Sequence, residues 1–202
     1  MAFIKVVSPQ QASGRLEKVY RRVQAPDGQV DNVLQVHSLR PHTLEGHMAI
    51  YKAALHHNGN LLPEWYLEAV GVLVSKLNGC EYCAGHHATG LRRLLEAESL
   101  SFDLYFEALQ QASPGVPFTT REQLGLAYAR KLTHTPGQIE SADIDALREA
   151  GFDDGEILEL NQVAAYFAYA NRTVTGLGVN PEGEVLGQSP ATGDDKSGWS
   201  HG

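Results

Sequence analysis

The chain has 202 residues, 43% of them hydrophobic, which is enough for one sizeable core in a single globular domain. Its formal net charge is −8 and no run of Lys or Arg exceeds a pair, which argues against a nucleic-acid or anionic-membrane partner. No stretch reaches the ~18 consecutive apolar residues of a membrane span, and Met1 to Val7 carries one Lys and too few apolar residues for a signal peptide, so a cytoplasmic protein is expected.

Ser8-Pro9-Gln10-Gln11 has the form of a capping box with proline at the first helical position. It predicts a helix to Arg21 or Val23 with Leu16, Val19 and Val23 facing inward, ended by the turn from Ala25 to Gly28. A short segment from Val30 to Leu39 follows, with Val33, Val36 and His37 on one side. Pro41 opens the next helix, in which Leu44, Met48, Tyr51 and Leu55 repeat at helical spacing up to Asn58-Gly59-Asn60. His47, His56 and His57 read as surface or satisfied histidines, since no acidic or cysteine partner lies at ligand spacing. Pro63 opens a further helix to Leu77, with Leu67, Val70, Val74 and Leu77 as its core stripe and Trp65, Ala69, Val72 and Leu73 making most of its girth apolar. Its polar residues Glu64, Glu68 and Ser75 share one narrow strip, which taken alone reads as a solvated edge.

Asn78-Gly79 breaks that helix, and Leu91, Leu94 and Leu95 resume helical spacing beyond it, so Cys80 is expected in the first turn of a new helix. Phe102 to Ala112 is the next helical run (Leu104, Tyr105, Ala108, Leu109), Thr119 or Thr120 caps another through Leu132, and Ser141 to Ala150 ends at Gly151. Asp153 or Asp154 then starts a periodic helix, with Ile157, Leu160, Ala164 and Phe167 inward, that reaches Asn171-Arg172. No strand-like alternation of useful length occurs. The expectation is an all-α domain of about eight or nine helices over residues 1–186, followed by a polar tail at 187–202. That tail has too little apolar surface to order itself, and is expected to lie on a neighbouring subunit with Trp199 as anchor.

Both cysteines and two of the nine histidines fall within Asn78 to His87. The first turn of a helix has free N–H groups and a partial positive charge, which favours thiolate over thiol. Cys80 and Cys83 are i and i+3, and Cys83 and His87 are i and i+4, so all three share one helical face. Three readings of the pair stay open: a redox dithiol, a zinc site with His86 or His87 as a further ligand, or two packed structural cysteines. Zinc lacks a fourth ligand at a recognisable spacing. A buried active thiol needs a base at hand, and His87 is the base that spacing allows. A helix dipole is worth roughly 0.3 to 1 kcal/mol at exposed sites, whereas a positioned general base contributes about 10² to 10⁴ in rate, which favours Cys83 as the nucleophile.

With the cysteine helix set between apolar helices, the chain resembles the AhpD-like alkylhydroperoxidases of the carboxymuconolactone decarboxylase superfamily, most closely their peroxidase-related group. The resemblance rests on Glu68, eleven intervening residues, then Cys80-x-x-Cys83-x-x-x-His87, within the core segment SKLNGCEYCAGHH from Ser75 to His87. Leu147 to Phe152 and Asn171-Arg172 are similar to the family as well, and the likeness spans Leu44 to Gly178. It implies an AhpD-like helical fold assembled as dimers, trimers or hexamers, no tightly bound cofactor, and a thiol peroxidase working on a small hydroperoxide with an external dithiol reductant, protein or lipoyl-type. By the same resemblance Cys83 attacks peroxide, Cys80 resolves the sulfenic acid to a disulfide, His87 takes the Cys83 proton, and Glu68 relays or orients. Tyr82 departs from the pattern, because AhpD has a histidine there, which implies a shorter or differently tuned proton relay. The rival readings are a decarboxylase-like enzyme acting on a small acid through His87 and Glu68, and a non-enzymatic redox switch.

Overall fold

The computed structural model describes residues 2–25 and 28–187, and these form nine α-helices and no strand. They are α1 (Gly14–Val23), α2 (Asn32–Gln35), α3 (Pro41–Leu55), α4 (Glu64–Leu77), α5 (Glu81–Ala97), α6 (Phe102–Leu109), α7 (Thr120–His134), α8 (Ser141–Glu149) and α9 (Asp154–Leu177). Trp199 and the rest of the expected tail beyond Gly187 lie outside the described residues.

Helix α4 is the axis of the fold: every residue from Trp65 to Ser75 is buried, and α5, α7 and α9 pack around it with α3 and α6 beside them. Burying a Val or Leu side chain is worth about 1.5–3 kcal/mol, and α4 contributes Leu67, Val70, Val72, Leu73 and Val74 at 1% exposure or less. Two glycines set the spacing. A Cβ at Gly71 would drive into the Phe167 ring of α9, and one at Gly125 of α7 would meet the Tyr66 hydroxyl of α4. The apolar girth of α4 is therefore covered within the single chain.

Several sequence expectations change. The helix foreseen from Ser8 begins at Gly14 instead, after a separate 3₁₀ turn at Pro9–Gln11, because the Ser8 hydroxyl bonds the Gln11 side chain and Gly14 at φ +61° redirects the backbone. Helix α9 runs to Leu177, past Asn171-Arg172, and ends at the left-handed Gly178. Leu104 of α6 points outward at 57% exposure. The largest change concerns the polar strip on α4: Glu68 and Ser75 are wholly buried, because α5 and α9 close over the side that spacing alone would give to solvent. His47 and His56 are also buried, and only His57 among the three is exposed.

Candidate active site

The turn between α4 and α5 places the sulfurs. Gly79, at φ +66°, gives its N–H to the Lys76 carbonyl (3.1 Å) while Cys80 N–H reaches back to Ser75 O (2.9 Å), the paired bonds of a Schellman stop. This reversal leaves Cys80 at the N-cap of α5 and Cys83 in its first turn, one residue off the expected placement of Cys80. Both thiols are free and buried, at 2% and 5% exposure.

The pair carries one easily lost proton. The Cys80 thiol is held down to about 6, first by the hydrogen bond it accepts from Cys83 S–H, then by the Cys83 backbone N–H and the side chains of Thr175 and Asn171, against burial, which opposes it. Cys83 is pushed up by that same bond, by burial and by the charge on Cys80. The resting negative charge thus sits on Cys80 with Cys83 as its donor. Asn171 is fixed by its own bonds: its Nδ2 donates to Ser75 Oγ (3.1 Å) and its Oδ1 accepts from Asn78 Nδ2 (2.9 Å).

The structure brings Glu68 to the cysteine helix. Its Oε2 lies 2.7 Å from His87 Nδ1, with the carboxylate fully buried and the imidazole 15% exposed. A carboxylate on Nδ1 fixes the ring so that Nδ1 carries hydrogen and Nε2 is left as the basic nitrogen. Phe167 packs edge-on against that ring at 4.5 Å. Cys83 and His87 share the wall of a cavity of about 50 Å³ with His47 and Tyr51 of α3, Tyr166 of α9 and Tyr82 of α5. Cys80 is not part of that wall. His47 is pushed down to about 3 by burial and by the neighbouring His37 and His87, so it is a neutral imidazole, 3.3 Å from the Tyr166 hydroxyl. Burial likewise holds the Tyr166 phenol protonated.

Tyr82, where the family pattern has histidine, is committed elsewhere. Its hydroxyl donates to Glu184 Oε1 (3.0 Å) and accepts from Val33 N–H (3.2 Å), and burial with the Glu184 charge raises its pKa. Glu184 belongs to a strap after α9 whose carboxylate also receives the Asn32 N–H and lies 3.4 Å from His86 Nε2. Among the described residues no cluster of three His, Cys, Asp or Glu side chains could hold a metal ion. Sequence reading missed Asn171 as a thiol partner, together with Thr175, Tyr166 and Glu184. A polar Asn171 within the apolar run of α9 was a usable signal, whereas nothing local marks Glu184.

No family model matches the sequence, and no curated protein matches it. Among solved structures, an uncharacterized peroxidase-related protein from Silicibacter sp. TM1040 is 28% identical with a TM-score of 0.68, over 78% of this chain and 81% of that one. A second, an alkylhydroperoxidase AhpD core described as an uncharacterized peroxidase-related protein from Ralstonia eutropha JMP134, is 26% identical with a TM-score of 0.70, over 89% and 92%. These likenesses in sequence and fold support the AhpD-like superfamily for this chain. The debrominase Bmp8 in complex with 2,3,4-tribromopyrrole shares the AhpD-like fold at 17% identity and a TM-score of 0.66, over 89% of this chain and 93% of that one.

Proposed function

We propose that the chain is a thiol-dependent hydroperoxide reductase that cycles Cys80 and Cys83 between dithiol and disulfide. The observation that carries this reading is a pair of free, buried thiols on the helix that also bears the Glu68-bound His87, with Cys83 and His87 on the wall of one small cavity. Cys83 is the attacking thiol, because it lines the cavity, and Cys80 resolves from behind it. The proton on Cys83 crosses the S–H···S bond to Cys80, leaving a Cys83 thiolate facing peroxide. That sulfur attacks the outer oxygen of ROOH. The S–O bond forms, the O–O bond breaks, and the leaving alkoxide becomes alcohol by taking from His87 the one proton that the ring has first gained from solvent. Cys80 then attacks the Cys83 sulfenic acid; the S–S bond forms, the S–O bond breaks, and hydroxide leaves with the Cys80 proton as water. An external dithiol, protein or lipoyl-type, reduces the disulfide and is itself oxidised to a disulfide.

The cavity favours small oxidants. About 50 Å³ holds a few water-sized molecules and lies far below the roughly 300–1,000 Å³ of sites for drug-sized ligands. A ring such as the one in the Bmp8 complex is poorly matched to it. Assembly as a homo-oligomer belongs to the same reading, supported by exposed Leu61, Leu158 and Ile50 at 69%, 59% and 46%. A cytoplasmic setting suits the reading too, since a reducing compartment regenerates the dithiol, and no described helix is long and apolar enough to cross a membrane. Steady-state consumption of hydrogen peroxide or a small alkyl hydroperoxide with dithiothreitol tests the activity. Alkylating both cysteines should abolish it; turnover that survives alkylation would favour the acid–base reading through His87 and Glu68.

A further inference from the structure

Glu68 has a second oxygen, and its surroundings are unusual. Glu68 Oε1 and His56 Nε2 are both buried atoms without a hydrogen-bond partner, and they face each other at 3.9 Å. On the other side of the same ring, His56 Nδ1 lies 2.8 Å from Glu64 Oε1, one helical turn before Glu68 on α4. The His56 side chain is 2% exposed and that of Glu64 19%, so the series His87, Glu68, His56, Glu64 leads from the cavity wall to the protein surface. Tyr51 of α3 packs edge-on against His56 at 4.7 Å and walls the series from one side. Tyr166 of α9 packs against Tyr51 in turn, ring centroids 5.7 Å apart.

Hydrogen placement makes the series directional. A carboxylate at Glu64 requires hydrogen on His56 Nδ1, which leaves Nε2 of a neutral ring as a lone pair facing the Glu68 carboxylate. Two acceptors facing each other in a buried site are unfavourable, and one proton between Glu68 Oε1 and His56 Nε2 removes the conflict. The separation exceeds a formed hydrogen bond and closes by a small rotation of either side chain.

This placement matters because the cycle proposed above needs a proton from outside. The resting pair holds one proton, and converting ROOH to alcohol and water while forming the disulfide consumes one more; reduction by the dithiol returns it. We propose that His56 and Glu64 are positioning residues that form the proton path between solvent and the Glu68–His87 pair. The inference rests on the peroxidase reading for its purpose and on the geometry of α4 for its route. The groups facing the path are Tyr51 from α3, Glu64 and Glu68 from α4, His87 from α5 and Tyr166 from α9.

Full-length wild type, Glu64→Gln and His56→Ala are compared by stopped flow. Each is reduced with dithiothreitol, then oxidised in a single turnover by hydrogen peroxide, in H₂O and D₂O and across pH. The path predicts a loss of about tenfold or more in the oxidation rate for both variants, within the usual reach of one proton-transfer group, with a larger solvent isotope effect and an altered pH profile. Imidazole should restore His56→Ala, while pyrrole, of the same size but not basic, should not. Wild-type rates in both variants, or equal rescue by pyrrole, would overturn the path, and Glu64→Gln answers the question if His56→Ala does not fold. If wild type is not oxidised by peroxide, the peroxidase reading fails on its own. Proton release during dithiothreitol reduction of the diamide-oxidised protein then tests the path, with the same expected slowing and the same contrary result.

Discussion

At the scale of single residues, the chemistry turns on where one proton sits. Cys80 is the better thiolate because Cys83 S–H, the Cys83 backbone N–H, Thr175 and Asn171 all point at it, and Cys83 is the poorer one because it is the donor. The thiolate absorbance of the reduced protein should therefore titrate near 6. Replacing Cys83 by Ala removes the largest cause and should move that titration upward, while Cys83→Ser, whose hydroxyl still donates, should keep part of the shift. The sign for stability follows from a folded value below the unfolded one. A thiol is near 8.5 in an unfolded chain, so the advantage of the reduced wild type over Cys80→Ser is complete above about 8.5 and is lost as pH falls through about 6. Urea denaturation of the two proteins across that window checks it, and a difference that grows toward acid would contradict it.

Among elements, the junction of α4, α5 and α9 carries both fold and site. Asn171 of α9 ties Ser75 at the end of α4 to Asn78 in the turn and also faces the sulfurs. Asn171→Leu should cost about 1–3 kcal/mol in urea denaturation, the penalty for buried polar groups left unsatisfied, and should also raise the thiolate titration. Most elements were legible in the sequence because their apolar periodicity and stop signals agree: Leu44, Met48, Tyr51 and Leu55 on α3, the Thr119–Glu122 capping box on α7, and Gly79 and Gly151 at helix ends with positive φ. The burial of Glu68 was not legible. Period alone identifies which residues share a strip, and neighbours remote in sequence, here His87 and His56, decide whether that strip meets water.

For the whole molecule, the strap from Asn180 to Gly187 is the part that sequence pattern could not place, since it has no periodicity and only Val185 and Leu186 as large apolar residues. Its hold is polar and long in sequence separation: Glu184 on Tyr82 and on the Asn32 N–H, Asn32 Nδ2 on Asn180 O (3.0 Å), and Arg93 Nη1 on Gly187 O (3.0 Å). Gly187 also forms part of the cavity wall, so the strap helps to close the site. Glu184→Ala should loosen it, with faster amide exchange at Asn32 and faster alkylation of Cys83 by iodoacetamide. Unchanged exchange and alkylation would show that the strap does not shield the thiol. Light scattering at micromolar concentration should give the mass of an oligomer, and a monomeric mass would count against assembly.

In the proposed cycle the two thiols divide the labour, with the resting charge on Cys80 and the attack from Cys83. Mass-spectrometric mapping of a trapped sulfenic acid after a hydrogen peroxide pulse tests it most directly. In Cys80→Ser, where the serine hydroxyl can still donate to a Cys83 thiolate, the adduct should form on Cys83. In Cys83→Ser, where the remaining sulfur is buried and is not part of the cavity wall, little or none should form on Cys80. An adduct on Cys80 in Cys83→Ser, with none on Cys83 in Cys80→Ser, would show that the charged sulfur attacks where it rests and would reverse the two roles.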